Sequence, residues 1–165
     1  MPPVDAVIAL GANLGDRLAA LQGALDGLRA TPGVEVIAIS SVYETDPVGG
    51  PEQPDYANAV IQVRSTLSAR ELLDRAHELE SEWARARQER WGPRTLDIDI
   101  IDVGGQVSDD PTLTLPHPRA HERGFVIVPW LEIEPDAVLA GHGPISGLEI
   151  DTSGVRGSSE GMSIT

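Results

Sequence analysis

The stretch that most constrains this chain is residues 96–100, Leu-Asp-Ile-Asp-Ile. Leu96, Ile98 and Ile100 alternate with Asp97 and Asp99, the period-two pattern of a half-buried strand with one face in a core and both carboxylates on the other. Two same-face carboxylates lie roughly 7 Å apart along a strand. That separation suits hard divalent cations, above all Mg²⁺, which takes one or two protein carboxylates and leaves its other positions to water and substrate phosphate. Arg85, Arg87, Arg90 and Arg94 lie just upstream and offer planar, permanently charged forks for phosphate oxygens. An Asp-x-Asp pair alone is often only the solvated face of a sheet, and arginines after a helix are commonly solvated too. Together they point to metal-assisted chemistry on a polyphosphate.

The 165 residues correspond to one domain, long enough for a substantial core without staples. A formal charge of -14 argues against a nucleic-acid or anionic-membrane surface, so a local basic cluster points to a small anionic ligand. With no cysteine, neither a disulfide framework nor a thiolate metal site is available. All 12 basic residues are arginine. Without lysine there is no Gly-Lys-Ser/Thr P-loop and no kinase-type strand lysine, so any ATP chemistry uses another scaffold. No basic-plus-apolar leader opens the chain and no apolar run approaches ~18 residues, so a cytoplasmic protein is expected.

Residues 4–10 form an apolar run ending at Gly11, expected as a buried strand, followed by a turn capped by Asp16. Leu18, Leu21, Leu25 and Leu28 recur at helical spacing until Thr31-Pro32-Gly33 stops them. Residues 34–43 give a second strand, residues 44–57 a long Pro- and Gly-broken connection fit for a substrate lid, and residues 58–65 a third strand. Ser68 and Glu71 form a capping box for a helix whose stripe is Leu72, Ala76, Leu79 and Trp83. Trp91, in a Gly-Pro loop, is either an anchor or a wall of a site. Gly104-Gly105 reads as a hairpin turn returning through Gln106-Val107. His117 lies between two prolines in an extended segment, residues 126–133 form a short helix or strand, and residues 154–165 are expected to be a disordered tail beyond a domain of residues 1–150. The order strand, helix, strand, strand, helix, strand implies an α+β fold: a ferredoxin-like split βαβ, with a central antiparallel sheet and helices packed on it.

The run Arg90-Trp91-Gly92-Pro93-Arg94-Thr95-Leu96-Asp97-Ile98-Asp99-Ile100 closely resembles the signature of the 6-hydroxymethyl-7,8-dihydropterin pyrophosphokinase family of the folate pathway. Three further stretches match in order. They are Gly11-Ala12-Asn13-Leu14-Gly15; Ser41-Val42-Tyr43-Glu44-Thr45 with Gln53-Pro54-Asp55-Tyr56-Ala57-Asn58; and Leu115-Pro116-His117-Pro118-Arg119 through Glu122-Arg123-Gly124-Phe125. The resemblance covers residues 4–139. It implies transfer of a pyrophosphoryl group from ATP to the hydroxymethyl oxygen of the reduced pterin, with release of AMP.

The resemblance also implies roles for single residues. Asp97 and Asp99 would hold two Mg²⁺ ions. Arg85, Arg87, Arg94, His117 and Arg123 fall where the family places phosphate contacts, with Arg85 and Arg87 closing over ATP from a mobile loop; Leu73, Ile100 and Thr114 flank the nucleotide. Tyr56 and Phe125 match the aromatics that sandwich the pterin, Asn58 matches the amide that reads its edge with help from backbone near Thr45 and Val48, and Trp91 helps to close the site. A flat bicycle with a donor-acceptor edge calls for such a set. Two positions depart from the pattern: Ala84 stands where glycine often precedes the first loop arginine, and Pro118 where some members have tyrosine. ATP and the pterin are the expected partners of a monomer, without nucleic acid or membrane. A metal-dependent phosphohydrolase would also use paired aspartates and arginines, but needs no pterin pocket. An RNA-binding ferredoxin-like module would need a basic, aromatic sheet face that this chain lacks.

Overall fold

A computed structural model describes residues 2–13, 16–45, 56–91, 96–157 and 163–165, with the side chains of residues 86–91 excepted. The first strand, β1 (Val4–Ala12), is buried along almost its whole length because strands flank both its edges and helices cover both its faces. The Asp16 carboxylate caps α1 (Arg17–Arg29), accepting from the Ala19 amide at 3.0 Å, and Leu21, Leu25 and Leu28 form its buried stripe as the spacing predicts.

The expected strand over residues 34–43 is split into β2 (Val34–Ile39) and β3 (Tyr43–Thr45), both antiparallel to β4 (Tyr56–Ser65). The break falls at Ser40, whose hydroxyl accepts from the Val60 amide at 2.9 Å and donates to the Ser41 carbonyl at 2.7 Å. A side chain thus occupies the ladder position that backbone would fill in a continuous strand. Most of the expected lid at residues 44–57 lies outside the described residues.

The capping box of the next helix, α2 (Ala69–Trp91), is formed in both directions: the Ser68 amide donates to Glu71 at 2.9 Å and the Glu71 amide to Ser68 Oγ at 3.1 Å. This helix runs through Trp91, so the loop expected at residues 84–91 is its last turns. Ala84, Ala86, Arg85, Arg87, Gln88 and Glu89 are all strong helix formers, and nothing among them breaks the ladder.

Strand β5 (Asp97–Val103) pairs with β1 and forms one edge of the sheet. Gly104 and Gly105, at φ +56 and +73, make the expected turn, but the chain does not return along β5. Instead β6 (Ser108–Asp110) pairs with β7 (Leu113–Leu115) in a separate ribbon. The free edge of β5 is already occupied: Glu80 of α2 accepts from the Ile98 amide at 2.7 Å, and the His117 amide donates to the Ile101 carbonyl at 2.9 Å. A cis bond joins Leu115 to Pro116.

Residues 126–133 fall in a helix, α3 (Gly124–Ile133), followed by the short β8 (Val138–Leu139) and β9 (Gly143–Pro144). The expected disordered tail is ordered where described. A last strand, β10 (Val155–Gly157), pairs with β3, Ile164 is buried beside α1, and the Thr165 amide donates to Gln22 at 3.1 Å. Polar composition hid this, since a strand that adds to an exposed sheet edge needs backbone groups and few apolar side chains.

The main sheet has the order β10-β3-β4-β1-β5, with β2 also on β4, and all its pairs are antiparallel. This is the expected ferredoxin-like arrangement. One face, with Ile8, Leu10, Ile61, Ile98 and Ile100, packs on α1 and α2; the other, with Val7, Ala9, Val60 and Ile101, packs on α3 through Val126, Ile127 and Trp130.

Candidate active site

Asp97 lies opposite Gly11 and Asp99 opposite Ala9, so both carboxylates point to the face that α3 covers further along. Ile101 continues that face into the α3 cluster and is the extra residue of a bulge between the Ile100 and Asp102 pairings, beyond which Val103 joins the opposite core on the α1 and α2 side. Partial burial raises the Asp97 pKa above the ordinary carboxylate range; the charge of Asp99 adds to this and Arg123 opposes it. Arg123 Nη1 lies 3.9 Å from Asp99 Oδ2, and the same guanidinium sits 5.5 Å over the Phe125 ring centroid.

The aspartates open into a cavity of about 690 Å³. Its sheet side is formed by Gly11, Thr45, Tyr56 and Asn58, and its opposite side by Arg123, Gly124 and Phe125. Asn58 is buried and donates through Nδ2 to Thr45 Oγ1 at 2.8 Å, which fixes the amide and turns its oxygen toward β1. A Cβ at position 11 would lie 3.2 Å from that oxygen, so glycine there makes room for it. Two aromatic residues, an asparagine and a threonine lining a common space suit a flat heterocycle with a hydrogen-bonding edge.

A second cavity of about 380 Å³ lies along the outer edge of β5. Leu73, His77 and Glu80 of α2, Ile98, Asp99 and Ile100 of β5, Leu113 to Leu115 of β7, and His117 line it. Asp99 borders both cavities. Burial pushes the His117 pKa down, and Arg123 and Arg119 add to this while Asp99 opposes it, which favours the neutral ring. Its Nδ1 accepts from the Arg119 amide at 3.2 Å, which leaves the proton on Nε2 as a donor. Glu80 is pushed up by burial and by the charges of Asp97 and Asp99, against the Ile98 amide and His77.

Of the residues expected on the nucleotide, Leu73, Ile100, Thr114 and His117 share the second cavity, and Arg123 stands at its junction with the first. Thr45, Tyr56, Asn58 and Phe125 share the first. Arg85 lines neither; it sits on α2 in a groove with Asp74, His77 and Glu82 that adjoins the second cavity at His77. Arg94 and Val48 lie outside the described residues, as do the side chains of Arg87 and Trp91. Sequence reasoning missed Glu80, because a glutamate on the polar side of a helix has no local mark of its contact with a strand edge. It also missed Asp151, Ser153, Gly154 and Val155, which line the larger cavity.

The residues present fit divalent cations. Asp97, Asp99, Glu80 and Glu122 outnumber Arg119 and Arg123 around the junction, a balance that repels a polyphosphate unless cations join it. Among the described residues no group of three or more His, Cys, Asp or Glu forms a closed metal cage. Mg²⁺ needs none, since it is held by one or two carboxylates with water and substrate.

Residues 7–135 match the family model described as 7,8-dihydro-6-hydroxymethylpterin-pyrophosphokinase (HPPK). The chain belongs to this family. Its similarity to the 2-amino-4-hydroxy-6-hydroxymethyldihydropteridine pyrophosphokinase of Methylorubrum extorquens is 40% identity over 152 residues, covering 92% of this chain and 96% of the relative. The Haemophilus influenzae enzyme of the same description is 42% identical over 136 residues, covering 82% and 85%. The Mycobacterium leprae enzyme is 46% identical over 144 residues, covering 81% and 73%. This pyrophosphokinase is thus an ATP-dependent diphosphotransferase of folate biosynthesis. Its fold is also that of wild-type Plasmodium falciparum HPPK-DHPS, solved with pteroate, at a TM-score of 0.69 and 11% identity over 88% of this chain. The chain spans 44% of that longer protein, and the likeness bears on the fold alone.

Proposed function

We propose that the two cavities divide the substrates of 6-hydroxymethyl-7,8-dihydropterin pyrophosphorylation, with the pterin in the larger one and ATP in the smaller. The observation that carries this reading is Asp99, which borders both cavities and so marks where their ligands meet. Tyr56 and Phe125 stack on the bicycle while Asn58 and Thr45 read its edge, which holds the hydroxymethyl group toward the aspartates. Leu73, Ile100 and Thr114 flank the nucleotide.

In the reaction the hydroxymethyl oxygen forms a bond to the β-phosphorus of ATP. The bond from that phosphorus to the α,β-bridging oxygen breaks, AMP departs with that oxygen, and the hydroxyl proton is released. His117 offers its Nε2–H to a phosphate oxygen without adding charge, and Arg123 offers a guanidinium at the junction. Two Mg²⁺ ions held by Asp97 and Asp99 would neutralise triphosphate charge, lower the pKa of the attacking hydroxyl and align the attacking and leaving oxygens. Arg85, Arg87 and Arg94 as further phosphate contacts, and Val48 and Trp91 on the pterin, belong to the same proposal.

We propose a monomer as the working unit. Among the described residues no helix is long and apolar enough to cross a membrane, and the charge of -14 disfavours nucleic acid. We propose the cytoplasm as the place of the reaction. Incubation with ATP, Mg²⁺ and 6-hydroxymethyl-7,8-dihydropterin tests the proposal by chromatography. The expected result is equal AMP and pterin diphosphate, dependent on pterin and abolished by chelation. ADP or free phosphate made without pterin would replace this reading with a phosphohydrolase.

A further inference from the structure

The larger cavity has a third side that comes from the end of the chain. Asp151, Ser153, Gly154 and Val155 line it together with the sheet residues and the start of α3. Two separate attachments hold this segment. One is the ladder of β10 on β3, with Val155 opposite Thr45, Arg156 opposite Glu44 and Gly157 opposite Tyr43. The other is a close abutment on α3: a Cβ at Gly124 would lie 3.0 Å from the Asp151 carbonyl oxygen and 3.1 Å from Val155 Cγ2. Between them the segment is preshaped, because Asp151 Oδ1 accepts from the Ser153 amide at 2.9 Å and its hydroxyl at 2.6 Å, and the Val155 amide donates to the Thr152 carbonyl at 3.0 Å.

The register decides what this attachment does. Strand β3 has three residues and would be a sheet edge without β10. Thr45, paired with Val155 on one side and Tyr56 on the other, presents the hydroxyl that fixes the Asn58 amide. The same segment abuts the residue before Phe125. It therefore spans from the edge-reading pair to one of the two aromatics and fixes the gap between them. None of its residues lines the second cavity.

We propose that residues 151–157 are a positioning element for the flat heterocycle, holding Thr45 and Phe125 at the separation the pterin needs while leaving nucleotide binding untouched. The inference rests on the assignment of the pterin to the larger cavity. The full chain and Val155→Pro, which removes the amide that closes the turn, are compared by equilibrium binding of 6-hydroxymethylpterin and, separately, of a non-hydrolysable ATP analogue with Mg²⁺. Loss of preorganisation is expected to weaken pterin binding about tenfold and to raise the pterin KM more than it lowers kcat, with the ATP-analogue Kd changed by less than about twofold. Unchanged pterin affinity, or parallel loss of both affinities, overturns the proposal. Amide hydrogen exchange of the unaltered chain gives a second reading that needs no folded variant: added pterin is expected to slow exchange at residues 153–157, and slowing at residues 43–45 without it also overturns the proposal. Failure of the unaltered chain to bind pterin at all would overturn the functional reading with it, whereas binding that ignores Val155→Pro overturns the positioning role alone.

Discussion

The two faces of the central sheet are covered unequally. Two helices, of 13 and 23 residues, close one face, and their buried leucines meet a continuous row of strand side chains from Ala6 to Val103. Among the described residues the other face has one α-helix, α3 of 10 residues, and its core of Val7, Ala9, Val60, Ile101 and Trp130 occupies only part of the sheet. Where α3 begins, the strands carry Gly11, Asn58, Asp97 and Asp99, and the space above them is the larger cavity. A sheet covered by fewer helix residues on one side leaves strand positions there facing a cavity, and polar side chains can occupy them at a smaller desolvation cost than in packed core. In this fold the site is the uncovered remainder of a face whose other part is core.

This comparison makes Asp99→Ala or Asp97→Ala the largest expected effect on activity. AMP formation should fall by about three orders of magnitude, the scale on which groups that stabilise transition-state charge matter, with thermal unfolding little changed. Near-normal turnover in either variant would remove the carboxylate pair from the chemistry. On the covered part of the same face, Trp130→Ala is expected to cost about 3–5 kcal/mol of stability in urea unfolding, because the side chain is 1% exposed and its indole N–H donates to Glu134 at 2.8 Å. A loss below about 1 kcal/mol would mean that α3 is not packed as the structure has it.

Phe125→Ala should separate the two parts of the face. Its ring is only partly buried, so stability should drop far less than in Trp130→Ala, while pterin affinity weakens about tenfold in a fluorescence titration. Equal stability losses in the two variants would erase the distinction between core and site.

The smallest effect concerns how α3 is fastened to β3. Tyr43 donates to Glu132 at 2.6 Å, and burial first, then Glu132, push its pKa up to about 12 from the ordinary 10.0. A folded-state pKa above the unfolded value means that the full contribution to stability is present below pH ~10 and is lost as the pH rises toward 12. The chain has no lysine and two tyrosines, so this window is uncrowded. Tyr43→Phe should flatten the alkaline fall in unfolding temperature; an unchanged slope would assign the fall elsewhere.

Much of the fold was legible because its signals are local. The alternation at Leu96 to Ile100, the leucine spacing of α1, the Asp16 cap and the Ser68–Glu71 box each act within a few residues, and each appears as expected. The failures share a different origin. Residues 34–43 alternate well enough for one strand, but Ser40 breaks it by bonding to Val60, which only the pairing with β4 brings near. Over residues 84–91 the family resemblance implies a loop while local propensity favours helix throughout, and the chain follows propensity. The site was legible in the same uneven way. Most of its expected described residues share two cavities, yet Arg85 lines neither and sits in a groove that meets the smaller one only at His77, and Glu80 meets the Ile98 amide across a turn of topology that no spacing records.

The sequence by itself determined that a strand would bear two carboxylates on one face, that helices would pack on a sheet, and that no P-loop or thiolate chemistry was open to the chain. These follow from side-chain alternation, helical period and composition, which need no knowledge of distant neighbours. Only the tertiary structure decided that Asp99 borders two cavities, that the bulge at Ile101 sends Val103 to the opposite face of the sheet, and that residues 151–155 form a wall of the larger cavity. Those are matters of register and edge pairing between segments far apart in the chain, and backbone hydrogen bonds that carry them leave almost no mark on residue identity.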